Sequence, residues 1–199
     1  MVKISEAAAE WFQAQVVEAV EEEGIQKVVS AQTKRWRPPA KPWLKCNVAS
    51  AWDREKSNSG AAWVLRNSEG NVLLHSRRSF GFISSRNEAE LTSVLWAMES
   101  LHSLQVPNVI FALEPKDLVG AINRPAAWPS FKYQSVRLHS TLTLIPAWRV
   151  VLEDRKANCG AHLIAKSVTR EERSQSYVAQ GYPFWLQNIF ESEKCIALM

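Results

Sequence analysis

The chain has 199 residues, 46% hydrophobic and 22% charged, with a formal net charge of +4. That is enough to bury a real core in one domain of roughly 150 residues plus extensions, and no apolar run approaches the roughly 18–20 residues of a membrane helix. The N-terminal "MVKISEAAAEWF" lacks an apolar signal-peptide core, and Cys46, Cys159 and Cys195 show no C-x-x-C spacing. The expectation is therefore an intracellular protein, nuclear or cytoplasmic, with reduced thiols and no membrane association.

Charge is unevenly spread. Residues 1–28 hold six Glu against two Lys, and residues 29–42 hold four Lys/Arg with no acid. The remainder is mildly basic, compatible with a polyanion partner without requiring one. Residues 1–28 read as an acidic helix, with Ser5 as N-cap and Trp11, Phe12, Val16 and Val20 at helical spacing. Residues 29–42 read as a basic, Pro-rich linker, because the prolines of "TKRWRPPAKP" forbid helix.

A run of strands follows. The first covers 43–52 and alternates cleanly; "GAAWVLRN" (60–67) and "NVLLHSRRSF" (71–80) complete an antiparallel meander around a polar turn ending at Gly70. The period then changes. Residues 84–104 read as a helix opened by an S-x-x-E capping box, Ser85 and Glu88. "VPNVIFALE" is a short apolar run typical of a strand buried on both faces. Helices over 115–123 and about 130–143, a strand "AWRVVLED" and a helix over 156–171 complete the order βββαβααβα, a mixed α/β fold. The tail 172–199 is aromatic-rich, and Tyr182, Phe184 and Trp185 are read as buried anchors that dock it.

Several polar residues fall where chemistry could sit. Glu114 closes a buried strand, where α/β sheets place their sites, and could equally cap the helix that starts at Pro115. Glu90 lies on the inward stripe of its helix with Val94, Ala97 and Leu101, which is costly for an acid without a partner or a metal. Glu88 lies on nearly the opposite side and has its capping role. His162 falls in the first turn of the last core helix, either as a satisfied helix-start histidine or as a site residue. Asp117 suits a helix dipole and Asp154 a turn.

The segments "WLKCNV", "GAAWVLRNSEGNVLL", "NEAELTSVLWAMES", "VIFALEPKDLVGAIN" and "RKANCGAHLIA", in this order, resemble the type-1 ribonuclease H fold. More narrowly they resemble the plant reverse-transcriptase-like ribonuclease H domains of non-LTR retrotransposons. The resemblance covers residues 43–168 and implies a three-layer fold on a mixed five-stranded sheet, antiparallel over strands one to three and parallel thereafter, occupying 43–171. It also implies four acids holding two divalent ions, Mg2+ or Mn2+, astride the phosphodiester of an RNA–DNA hybrid.

Matched position by position, the strand-one Asp falls on Ala49, the helical Glu on Glu90, the strand-four Asp on Glu114 and the last acid on His162. Glu90 and Glu114 are thus the implied metal ligands and, with His162, the implied catalytic set. Asp53 shares the face of Ala49 but lies roughly 13 Å further along the strand, too far to replace it. The resulting expectation is a ribonuclease H-like domain that binds RNA–DNA hybrid or RNA with impaired catalysis, helped by basic strands such as "HSRRS". The alternatives are an active metal-dependent hybrid ribonuclease with a rearranged site, and a protein-interaction module whose acidic helix and aromatic tail engage a protein partner.

Overall fold

The polypeptide alternates between two buried faces along its first strand, and that alternation organises everything else. The structure, a computed structural model, describes residues 35–171 and 175–197. The acidic helix expected over 1–28 lies outside the described residues.

Strands β1 (Leu44–Asp53), β2 (Asn58–Arg66) and β3 (Val72–Gly81) form the expected meander. Its turns are held by side chains: Asp53 Oδ1 accepts from the N–H groups of Glu55 and Lys56, and Asn67 Oδ1 from those of Glu69 and Asn71. These are Asx-type turns, in which a short polar side chain replaces a backbone acceptor. Helix α1 (Arg86–Ser103) begins as anticipated, with Ser85 Oγ accepting from Glu88 N–H while the Glu88 carboxylate returns to Ser84 N–H. There follow β4 (Asn108–Leu113), α2 (Lys116–Asn123), two short 3-10 turns, α3 (Lys132–Leu142), β5 (Ala147–Leu152) and α4 (Cys159–Arg170). Helix α4 starts three residues later than its sequence suggests, because Asp154 Oδ1 accepts from Lys156 N–H and holds a turn there.

The sheet has six strands in the order β5-β4-β1-β2-β3-β6, not five. The extra strand β6 (Tyr177–Gln180) pairs antiparallel with Leu74–Arg77 of β3. Four residues are too few for a legible period. Within the basic segment "HSRRS", this pairing buries His75 and Ser76 and Arg77 lies over the Tyr177 ring, while Arg78 stays exposed. Helix α5 (Gln187–Ala197) ends the described chain.

One sheet face carries Cys46, Val48, Trp63 and Leu65 against α1 to α3, forming the larger core. The opposite face carries Ala49, Ala62 and Val64 against Ala161, Ile164 and Ala165 of α4. Here the residues are small because α4 lies very close: a Cβ at Gly60 would stand 2.1 Å from the Ala165 carbonyl oxygen.

The flanks pack on this smaller core. Arg66, 1% exposed, lies between the rings of Trp36 at 4.4 Å and Phe190 at 4.6 Å and pairs with Glu193. Trp36 donates its indole N–H to Asn47 Oδ1 at 2.8 Å. Trp36 of the basic segment is therefore a core residue rather than part of a solvated linker. In the tail, Leu186 and Phe190 are the buried anchors, whereas Phe184 is 87% exposed and Trp185 44%. Tyr182 is half-buried and stacks on Phe190.

Gly60→Ala is expected to lower unfolding free energy by about 1–3 kcal/mol, the range for overpacking a rigid contact. Urea denaturation of the two proteins measures it, and an unchanged midpoint would contradict this packing.

Candidate functional site

Strand β1 is longer than its parallel neighbour. It pairs with β4 only over Leu44–Asn47, so its remaining residues have an open edge on that side. A cleft of about 470 Å³ occupies the gap, floored by Val48–Trp52 and walled by α1, α4 and the residues that follow β4. The end of β4 is the carboxyl end of a parallel strand, the usual location for a site in such sheets.

All four positions singled out from sequence line this cleft or its floor. Ala49 is 5% exposed, lines the floor and packs with Ala161 and Ile164. The β1–β4 register ends where Asn47 pairs with Ala112, and beyond it Val48 and Glu114 are linked through the Asn158 amide instead. Glu90 comes from the first turns of α1 and His162 from the first turn of α4. Asp53 is outside the lining, occupied with its turn.

Both carboxylates already have a partner. Glu90 Oε1 accepts from Arg86 Nε at 2.8 Å, an i,i+4 ion pair on α1. Glu114 Oε1 accepts from Asn158 Nδ2 at 2.7 Å, and the same amide nitrogen donates to the Val48 carbonyl at 2.8 Å. Glu114 does not cap α2, whose N-cap Pro115 has no side-chain cap bond. Asn158, 1% exposed, ties β1, Glu114 and the start of α4 together. Burial raises the pKa of Glu114, with the Asn158 hydrogen bond opposing.

His162 is held neutral. Its Nε2 lies 2.6 Å from the Arg155 guanidinium, which can only donate, so the ring proton resides on Nδ1. Desolvation, together with Arg155, Lys166, Arg86 and Arg170, lowers its pKa to about 4.

The residues that sequence reasoning missed are these cations. Arg86, Arg155, Lys166 and Arg170 all line the cleft, opposed by two carboxylates, Glu90 and Glu114. The signal was present: His162, Lys166 and Arg170 recur at i, i+4 and i+8 on one helix, so they must share a face. Among the described residues, Lys166 and Arg170 have no ion pair or side-chain hydrogen bond.

These residues do not fit the pair of divalent ions that the resemblance implies. Magnesium requires oxygen donors at about 2.0–2.1 Å. Ala49 offers a methyl group, the Nε2 lone pair of His162 faces Arg155, and Glu90 and Glu114 are bonded to Arg86 and Asn158. Among the described residues no three His, Cys, Asp or Glu side chains gather as a metal site.

Residues 47–168 match the reverse transcriptase-like family. No curated protein matches the sequence. Similar solved structures include RNase H1 from the halophilic archaeon Halobacterium salinarum NRC-1, at 17% identity and a TM-score of 0.58, covering 65% of this chain and 98% of that one. LC11-RNase H1, isolated from compost and solved with an RNA/DNA hybrid, aligns at 16% identity and a TM-score of 0.53, covering 62% and 94%. LC9-RNase H1, a type 1 RNase H with the type 2 active-site motif, aligns at 13% identity and a TM-score of 0.54, covering 81% and 87%. At these identities the likeness is one of fold.

The cation-depressed histidine gives a pH signature. With a native pKa of about 4 against an ordinary 6.5, the unfolded chain binds more protons between those values, so stability falls as pH drops through that window. Glu114 acts oppositely: its raised native pKa favours the protonated folded form, and its contribution falls as pH rises past the ordinary carboxylate range. His162→Gln is expected to remove about 1 kcal/mol of the acid-side loss, after discounting for its partial exposure. Urea unfolding at pH 4.5 and 7 for both proteins checks this.

Proposed function

Since this chain belongs to the reverse transcriptase-like family, we propose that it is a ribonuclease H-like domain that binds nucleic acid without two-metal hydrolysis. The observation that carries the reading is Ala49. It occupies the centre of β1 on the floor of the cleft that Glu114 also lines, where the resemblance calls for a metal-bridging carboxylate. A methyl group can neither ligate an ion nor help to activate a water. The fold around it is intact, so what is missing is the chemistry rather than the platform.

Binding is supported by the cleft's charge and by an exposed aromatic. Phe82 is 99% exposed and held at φ 59°, a strained conformation for a bulky residue. Its neighbour Ile83 accepts from the indole N–H of Trp52, a cleft-floor residue. Phe82 thus stands at the cleft end of the sheet as a surface on which a base can stack.

Filter binding of RNA–DNA hybrid, duplex RNA and single-stranded RNA at low salt tests the reading. At least one ligand is expected to bind in EDTA, with affinity falling steeply as salt rises. Failure of all three would sink it. Hybrid cleavage that requires magnesium or manganese and is lost in Glu90→Gln would establish the active ribonuclease instead. Phe82→Ala is expected to weaken single-stranded RNA by about 1–2 kcal/mol, near the lower end for one stacked base, as measured by the same titration.

A further inference from the structure

We infer that the cleft holds a phosphate group directly, without a divalent ion, on Arg155, Lys166 and Arg170. This deepens the nucleic-acid reading and rests on it for the source of the phosphate.

A cleft built for metal ions must be negative, whereas one built for phosphate must be positive. This cleft has four cationic side chains, two carboxylates and a neutral histidine, so its lining is positive by two. The carboxylates oppose an anion less than their number suggests. Glu90 is neutralised by Arg86, and one oxygen of Glu114 is engaged by the Asn158 amide.

The cations are arranged for an incoming oxyanion. Lys166 and Arg170 stand one and two helical turns beyond His162 on the wall of α4, without a carboxylate partner among the described residues. Arg155 uses one guanidinium nitrogen on His162 Nε2. That contact fixes the orientation of its planar fork and leaves its other N–H groups for oxygen, the geometry in which arginine grips phosphate. The imidazole accepts that bond without adding positive charge. Replacing a carboxylate by His162 therefore does two things: it removes an anion from the site and anchors a cation within it.

The same arrangement sets the sign of the magnesium effect. A positive lining repels a divalent ion, and magnesium in solution competes for the phosphate. Added magnesium should leave binding unchanged or weaken it.

The test uses the full chain and two ligands. Inorganic phosphate is titrated in EDTA and then in magnesium, followed by backbone amide shifts of α4. The expected result is saturable binding without metal, at least tenfold weaker in a Lys166→Gln/Arg170→Gln variant. Both residues lie outside the hydrophobic clusters, and a melting curve confirms that the variant is folded. No saturable shift, binding only with magnesium, or equal binding by the variant would overturn the inference.

RNA–DNA hybrid is then titrated into both proteins. Weaker hybrid binding by the variant, with a shallower salt dependence, supports the placement of a backbone phosphate in the cleft. Equal hybrid binding overturns that placement while the nucleic-acid reading stands. Phosphate binding that the variant loses, with no hybrid or RNA bound by either protein, leaves the cleft as an anion site and removes the nucleic-acid reading.

Discussion

The structure depends on how closely α4 approaches the sheet. Gly60 has no side chain, Ala49 and Ala62 have one carbon each, and the helix backbone at Ala165 settles against them. That approach brings His162, Lys166 and Arg170 to the open edge of β1. A larger residue in the floor would push the helix away and widen the cleft. Ala49 therefore has two consequences at once: it gives the cleft floor a methyl group rather than a polar one, and it belongs to the small-residue surface on which the helix rests.

An alanine in the cleft floor does more than offer no ligand. A buried or half-buried carboxylate cluster tolerates its own repulsion only when cations, whether ions or side chains, neutralise it. Ala49 and His162 add no negative charge to the cleft, and its two carboxylates, Glu90 and Glu114, are matched by Arg86 and Asn158. Both carboxylates of the cleft are satisfied from within the protein, whereas Lys166 and Arg170 are left without an ion pair among the described residues. An electrostatic arrangement of this kind needs no metal to offset carboxylate repulsion, and its excess of cationic side chains favours an anion.

Much of this was legible in the sequence, for identifiable reasons. The meander, α1 and the buried strand β4 announce themselves by period, by the Ser85–Glu88 cap and by turn residues. Ala49, Glu90, Glu114 and His162 were placed by their order along the chain, and the fold brings all four to one cleft. The failures share a cause. Strand β6 is four residues long, and its partner is at least 100 residues away in sequence. Trp36 sits in a proline-rich stretch whose local signals all indicate exposure; only its distant partner, Arg66, buries it. Phe184 and Trp185 carry the apolar signal of an anchor, but the helical phase of α5 gives that role to Phe190. Local pattern predicts elements, whereas pairings across long stretches of chain are tertiary facts.

The aromatic sandwich around Arg66 bears on where this module begins and ends. The segment that matches the family runs from 47 to 168, yet one slice of the sandwich comes from Trp36 and the other, with the neutralising Glu193, from α5. Trimming the polypeptide to the matched segment would strip both rings and the counter-ion from a guanidinium buried at the end of the interior strand β2. The evolutionary unit and the folding unit are different lengths of chain here. Recombination of the family segment into another protein would have to carry both flanks with it, or replace Arg66 first.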